Sequence, residues 1–297
     1  MSNPKIIDGK LISEKVRDSL KPRIDQLAAQ GIVPGLAVVL IGEDPASKVY
    51  VGMKARAFEN MNLYSETFRL FAETDEKTVL NLINNLNSNP KFHGILVQLP
   101  LPSHLDEMKI ILAIDPAKDA DGLHPVSLGK MVLGVDGPLP CTPNGIRMLL
   151  KYSDIDPGGK HVVVIGRSNI VGKPVANLLM QKRELGDATV TVCHSKTKDL
   201  SAIARQADIL IAAIGRPEFV DRKYVKEGAV VIDVGVNRID DPAAKRGYRL
   251  VGDVKYDDVK DIVSAITPVP GGVGPMTISM LIANTVYLAE KLASKEK

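Results

Sequence analysis

The stretch HVVVIGRSNIVGKPVANLLM, His161–Met180, decides the fold. A β-branched apolar run ends at Gly166, a short polar loop follows, and an amphipathic helix pattern begins near Lys173. Strand, glycine turn and helix in that order make a phosphate-binding turn, in which backbone N–H groups and a helix N-terminus face an anion. The glycines depart from the usual G-x-G-x-x-G: Ser168 takes the second position, and the third glycine is shifted to Gly172. Taken alone, the segment also fits a tight strand–helix turn that holds no ligand. Three further β-branched runs follow in the same rhythm: ATVTVCHS (Ala188–Ser195), DILIAAIG (Asp208–Gly215) and AVVIDVG (Ala229–Gly235). That succession favours a dinucleotide-binding domain of Rossmann type with a parallel sheet.

Upstream the alternation continues. LAVVLIG (Leu36–Gly42), SETFRLF (Ser65–Phe71) and GILVQLP (Gly94–Pro100) read as strands. Most of these runs are continuously apolar between Gly, Pro or Asp, as in strands buried on both faces of a parallel sheet. Helix-length amphipathic stretches cover Ser13–Gln30, Pro45–Asn62, Glu76–Asn87, Pro143–Tyr152, Lys173–Lys182 and Leu200–Gln206. Pro22 should kink or break the first of them. Thr142 reads as an N-cap with Pro143 at the first helical position. A last helix, Thr277–Ser294, carries a broad apolar stripe. The fold class is therefore α/β with two domains. The loop-rich, Gly-, Pro- and Asp-dense Asp119–Pro140 is the expected junction. If the last helix packs back on the first domain, a discontinuous three-layer α/β substrate domain (1–140 plus 269–297) faces a cofactor domain (141–268) across a cleft.

Composition narrows the function. Two cysteines, Cys141 and Cys193, make no disulfide framework and point to a reducing, cytoplasmic setting. The N-terminal MSNPKIIDGK lacks the apolar stretch of a secretion signal, and no apolar run approaches the ~20 residues that span a bilayer. With 38 Lys+Arg against 35 Asp+Glu, and no basic block beyond the tail SKEK, nucleic acid is a poor partner. Aromatic residues make up only 4% and tryptophan is absent, which argues against a stacking platform for single strands. Anionic small molecules remain open.

Within the cofactor domain, the second strand ends Cys193-His194-Ser195-Lys196, without the carboxylate that holds an NAD ribose. Arg167 directly follows the first glycine. A guanidinium, a hydroxyl and a nearby ammonium suit a 2′-phosphate, so NADP is favoured over NAD. In the other domain, Tyr50 and Lys54 stand four apart on a helix and share a face. A phenol beside a partly buried lysine can orient it, and burial lowers its pKa. The same spacing fits an exposed helix with a snorkelling lysine, and spacing alone favours that. Gln98 interrupts an apolar strand and needs partners, either a ligand or core backbone. Asp115, Asp119, Asp121 and His124 cluster in DPAKDADGLHP, but no metal-ligand spacing matches. A solvated acidic turn fits them better. His93, His104, His161 and His194 read as isolated structural or exposed residues. GGVGPMT (Gly271–Thr277) permits close backbone approach to a ligand.

Seven segments in this order resemble the bifunctional methylenetetrahydrofolate dehydrogenase/methenyltetrahydrofolate cyclohydrolase family. They are SKVYVGMKARA (Ser47–Ala57), GILVQLPLP (Gly94–Pro102), KDADGLHP (Lys118–Pro125), GRSNIVGKP (Gly166–Pro174), DVGVN (Asp233–Asn237), VGDV (Val251–Val254) and TPVPGGVGPMT (Thr267–Thr277). The resemblance runs from about Ile6 to Leu292. It implies a tetrahydrofolate substrate, NADP as cofactor, a homodimer, and a place in cytoplasmic one-carbon metabolism, including purine biosynthesis. It also implies roles for single residues. Lys54 is the central catalytic group, Tyr50 orients it, Gln98 tunes it, and Asp121 holds the pterin. Leu99, Pro100, Gly271 and Gly272 lie along the folate, and Gly166, Arg167, Ser168, Ser195 and Val236 line the cofactor. No metal is implied. The stretch QKRELGDA (Gln181–Ala188) is longer than the family's usual link to the second strand. A dinucleotide-binding sensor without redox chemistry, or an NADP oxidoreductase for another small substrate, are the competing readings.

Overall fold

The computed structural model describes residues 4–244 and 247–295. Residues 1–3 and the last two of the SKEK tail lie outside them. The strands are β1 (Lys5–Ile6), β2 (Gly35–Ile41), β3 (Tyr64–Leu70), β4 (Gly94–Val97), β5 (His161–Ile165), β6 (Thr189–Cys193), β7 (Ile209–Ala212), β8 (Val230–Asp233), β9 (Asn237–Asp240), β10 (Tyr248–Val251) and β11 (Ala265–Ile266). The helices are α1 (Gly9–Ala28), α2 (Pro45–Glu59), α3 (Glu76–Ser88), α4 (Glu107–Leu112), α5 (Pro125–Leu133), α6 (Cys141–Tyr152), α7 (Gly172–Met180), α8 (Leu200–Ala204), α9 (Tyr256–Val259) and α10 (Val273–Lys295). Contacts divide the chain into two compact units. One holds Lys15–Cys141 and the chain from Ile278 onward, the other Thr142–Thr277 and the segment ending at Glu14.

The first unit is built on a three-stranded parallel sheet, β3-β2-β4. Its central strand, GLAVVLI, is buried at all seven residues. Edge strand β3, whose apolar residues are interrupted by Ser65–Glu66–Thr67 and Arg69, is only half-buried. Ala37, Val39 and Ile41 pack with Ile95 and Val97, and Val79, Ile83 and Leu86 of α3 close that core. Asp44, Asp75 and Asp106 cap α2, α3 and α4, each accepting a backbone N–H of the first turn.

The second unit carries a six-stranded sheet in the order β1-β11-β8-β7-β5-β6, parallel at every pair. Sequence order reverses between β5 and β7, which makes their carboxyl ends the topological switch point of a doubly wound sheet. Strands β9 and β10 form a separate antiparallel pair.

Several expectations need correction. Helix α1 runs unbroken through Pro22. Pro22 and Asp18, whose carbonyl loses its donor, both lie on the exposed face, so that carbonyl is open to solvent. Helix α6 starts at Cys141, so Thr142 is inside its first turn, and its hydroxyl meets Thr277 Oγ1 at 3.0 Å instead of capping. The segment Asp119–Pro140, expected as loop, contains α5, with Pro125 at its first turn and Gly134 as a left-handed C-cap at φ 69°. The residues up to Glu14 and the glycines at 271–272 belong to the unit of the six-stranded sheet, although the sequence assigns both to the substrate domain. Lys5–Ile6 extend that sheet beside β11. A Cβ on Gly9 would lie 1.7 Å from Gly272 O, so the two segments pack backbone on backbone. Strands of two residues, such as β1 and β11, carry no periodicity to read.

Candidate functional site

In the first unit the site is built on α2. Val51, Lys54 and Phe58 form its buried face, and Tyr50 lies half-buried one turn before Lys54. Lys54 is 6% exposed, so the snorkelling alternative fails. Strand β4 ends at Val97, one residue short of Gln98, though Gln98 N still reaches Val39 O at 2.9 Å. The Gln98 side chain therefore leaves the carboxyl end of a parallel strand, where ligands of such sheets bind. Its Nε2 donates to Leu99 O at 2.7 Å, which turns Oε1 toward Lys54 Nζ, the donor of a 2.8 Å bond. Leu99 and Pro100 follow, joined by a cis peptide.

Electrostatics single out the same group. Burial lowers the Lys54 pKa, against opposing pulls from Asp121 and Cys141. Burial raises the Asp121 carboxyl, which the lysine partly counters. The Tyr50 phenol is pushed up by burial, and Cys141 well up by the same cause. Burial thus brings the two groups' proton affinities closer together than those of a free lysine and a free carboxyl, which favours a proton-handling role for the pair.

What holds Asp121 in place is not solvated. Asp119 is 2% exposed and accepts the amides of Gly122, Leu123 and His124 at 3.0, 3.3 and 2.9 Å. The expected solvated acidic turn is thus a buried carboxylate that folds its own loop. Gly122 sits at φ 72°, and a Cβ there would lie 2.5 Å from the Leu139 carbonyl carbon. His124 caps α5 through Nδ1. From α10, Asn284 Nδ2 donates to Ala120 O at 2.9 Å and Leu139 O at 2.8 Å, bracing both sides of that loop. Asp119, Cys141 and Asn284 are parts of the site that sequence reasoning missed. For Asp119, three backbone N–H groups following it at short range was the available signal.

In the second unit, Gly166 ends β5 at φ 135°, and a Cβ there would lie 2.1 Å from Ala213 O. Only glycine lets the two switch-point loops approach so closely. Ser168 Oγ accepts the amides of Val171 at 3.1 Å and Gly172 at 3.3 Å, which closes the loop onto the start of α7. Arg167, Ser168, Ser195 and Val236 are exposed, on segments that follow the carboxyl ends of β5, β6 and β8. The donors there, with no carboxylate at the end of β6, fit a phosphorylated ribose. Gly271, at φ 110°, and Gly272 precede α10 in this unit, apart from the Lys54 group in the chain's division. The long QKRELGDA stretch leaves α7 at Met180 and turns back, with Asp187 N on Gln181 O at 2.8 Å and Ala188 N on Leu179 O at 3.0 Å. His93, His104, His161 and His194 each bond backbone or a threonine.

Among the described residues no three His, Cys, Asp or Glu side chains are grouped to hold a metal. None of the described helices is long and apolar enough to cross a membrane.

A doubly wound sheet with a glycine turn, joined in one chain to a unit carrying a buried lysine and a half-buried carboxyl, defines a dinucleotide-linked enzyme of small-molecule chemistry. Residues 7–121 match the tetrahydrofolate dehydrogenase/cyclohydrolase catalytic domain, and residues 140–293 match the tetrahydrofolate dehydrogenase/cyclohydrolase NAD(P)-binding domain. The chain belongs to the tetrahydrofolate dehydrogenase/cyclohydrolase family. It is 56% identical over 284 residues to the bifunctional protein FolD of Prosthecochloris aestuarii, covering 95% of this chain and 96% of that one. The FolD methylenetetrahydrofolate dehydrogenase/cyclohydrolase structure of Campylobacter jejuni superposes with a TM-score of 0.90 at 47% identity, over 97% of this chain and 99% of that one. The Trypanosoma brucei dehydrogenase-cyclohydrolase, solved with NADP and an inhibitor, gives a TM-score of 0.93 at 38% identity, over 99% of both chains.

Proposed function

We propose that the chain oxidises 5,10-methylenetetrahydrofolate to the 5,10-methenyl cation and hydrolyses that cation to 10-formyltetrahydrofolate. The observation that carries this reading is Lys54, buried, bonded to Gln98 and electrostatically coupled to Asp121. NADP, when bound, supplies the hydride acceptor for the first step. Hydride transfer asks of the protein mainly alignment of two bound ligands. Hydrolysis also needs a group to manage the protons of the attacking water. A neutral Lys54 serves that need, whereas a fixed ammonium repels the cationic intermediate. Gln98 Oε1 holds the amine in place, and Tyr50 packs one turn away to orient it. Asp121 accepts hydrogen bonds from the pterin amino group and a ring N–H, while Leu99 and Pro100 flank the folate.

In the other unit, Gly166, Ser168, Ser195 and Val236 line the cofactor, and Arg167 pairs with the 2′-phosphate, which selects NADP over NAD. The substrate half comprises Lys15–Cys141 and the chain from Ile278 onward, the cofactor half the six-stranded sheet with β1 included. The protein works in the cytoplasm as a homodimer. Edge strand β6, with Val192 38% exposed, supports self-association. Light scattering of the purified protein, expected at twice the chain mass, tests the dimer. Absorbance assays of both steps test the chemistry.

A further inference from the structure

The carboxylates of two family segments, DVGVN and VGDV, have no role so far, yet each segment is built around the other. Asp253 is fully buried and accepts three successive amides just beyond β7: Ile214 and Gly215 on Oδ2 at 2.6 and 2.9 Å, and Arg216 on Oδ1 at 2.9 Å. Asn237 Nδ2 adds a fourth bond to Oδ1 at 2.9 Å. Asp233, 4% exposed, accepts the amides of Gly235, Asp253 and Val254 at 3.0, 2.9 and 2.9 Å. The glycines make room crosswise. A Cβ on Gly235 would lie 2.3 Å from Asp253 Oδ1, and one on Gly252 would lie 1.7 Å from Asp233 Oδ2.

Successive amides converging in a turn form an anion-binding concavity. Here the chain's own carboxylate fills it. The turn so fixed, Ile214–Arg216 with Gly215 at φ 70°, leaves the carboxyl end of β7 next to the Gly166 loop, at the switch point where a doubly wound sheet binds its ligand. We propose that Asp253 is a positioning residue for the dinucleotide: by holding the Ile214–Arg216 turn it shapes one wall of the cofactor site without touching the cofactor. Asp233 holds Asp253 in turn, and the carboxylate that occupies the nest leaves the cofactor's phosphates to the Gly166 loop.

The proposal rests on the cofactor site assigned above, and its test separates the two. Asp253→Asn sets an amide NH₂ against backbone N–H donors and breaks one pair of bonds. Asn237→Ala removes a single bond to Asp253. NADP affinity is read directly by calorimetry. Dehydrogenase KM and kcat are read in parallel, as is hydrolysis of added methenyltetrahydrofolate without nicotinamide. In Asp253→Asn the dissociation constant and KM for NADP should rise about tenfold or more, the scale of a misplacement of about an ångström. Nicotinamide-free hydrolysis should stay within about twofold. Asn237→Ala should move NADP affinity in the same direction by about threefold. If Asp253→Asn does not fold, Asn237→Ala decides alone. Wild-type protein that binds NADP, with variants that bind it equally well or that lose both activities in proportion, overturns the proposal and leaves the cofactor site standing. Wild-type protein that binds no NADP overturns both.

Discussion

Replacing Lys54 with methionine removes Nζ and keeps the length and apolar packing of the stem. Lys54 is 6% exposed and its amine makes a 2.8 Å bond to Gln98 Oε1. The lost bond costs about 0.5–1.5 kcal/mol, and relief of burying an amine offsets part of it. Folding stability should therefore change by no more than about 1 kcal/mol, or about 2–4 °C in Tm for a protein of this size. Catalysis loses far more. One positioned acid–base group is worth about 10²-fold or more, which is about 3 kcal/mol of barrier at 1.36 kcal/mol per tenfold. Methenyl hydrolysis should fall by that factor, and dehydrogenase activity should fall less, so that methenyltetrahydrofolate accumulates. The assay follows methenyl absorbance at matched, saturating substrate, with the uncatalysed rate subtracted. Hydrolysis at the wild-type rate in a folded Lys54→Met variant removes Lys54 from the mechanism.

Arg167→Ala should weaken NADP by about 1.5–3 kcal/mol, the worth of a charged hydrogen bond, and leave NAD nearly unchanged in a direct titration; equal losses for both refute its pairing with the 2′-phosphate. Asp121→Ala should damage both activities and spare NADP binding, and normal folate binding with both rates intact contradicts the pterin role. The pH profile of hydrolysis should rise as Lys54 loses its proton, with a midpoint below the ordinary lysine value of 10.5, because burial lowers its pKa. In Asp121→Asn the negative charge favouring the ammonium is gone, so the limb of residual activity, read at saturating substrate, should move to lower pH; movement upward refutes the coupling.

Much of the fold was legible because buried parallel strands announce themselves as unbroken apolar runs. LAVVLIG and HVVVIG were placed to within a residue, since nothing polar interrupts them. What escaped has physical reasons. Strands β1 and β11 span two residues each, and β9–β10 are four-residue strands, NRID and YRLV, with no apolar run and mostly exposed or half-buried residues. Helix α5 hid behind Pro125 and Gly134, which mark its two ends. At the site, spacing put Tyr50 and Lys54 on one face, but burial of an amine depends on what packs over it, and that neighbour, Gln98, lies 44 positions away. Asp119 reads from the sequence as a solvated turn carboxylate, and Asp233 and Asp253 have no reading there beyond their place in two family segments. Asp119 and Asp233 each satisfy three N–H groups and Asp253 four, and those of Asp253 lie up to 39 positions away, a count visible only once the backbone is folded.

The central claim is one folate enzyme carrying out two steps, and a single absorbance experiment addresses it. Purified protein is mixed with 5,10-methylenetetrahydrofolate and NADP, and reduced nicotinamide and methenyltetrahydrofolate are followed together. The expected record is growth of NADPH with a small, transient methenyl signal that gives way to 10-formyltetrahydrofolate faster than in buffer. No NADPH, or methenyl that accumulates one for one with NADPH and decays only at the uncatalysed rate, contradicts the account.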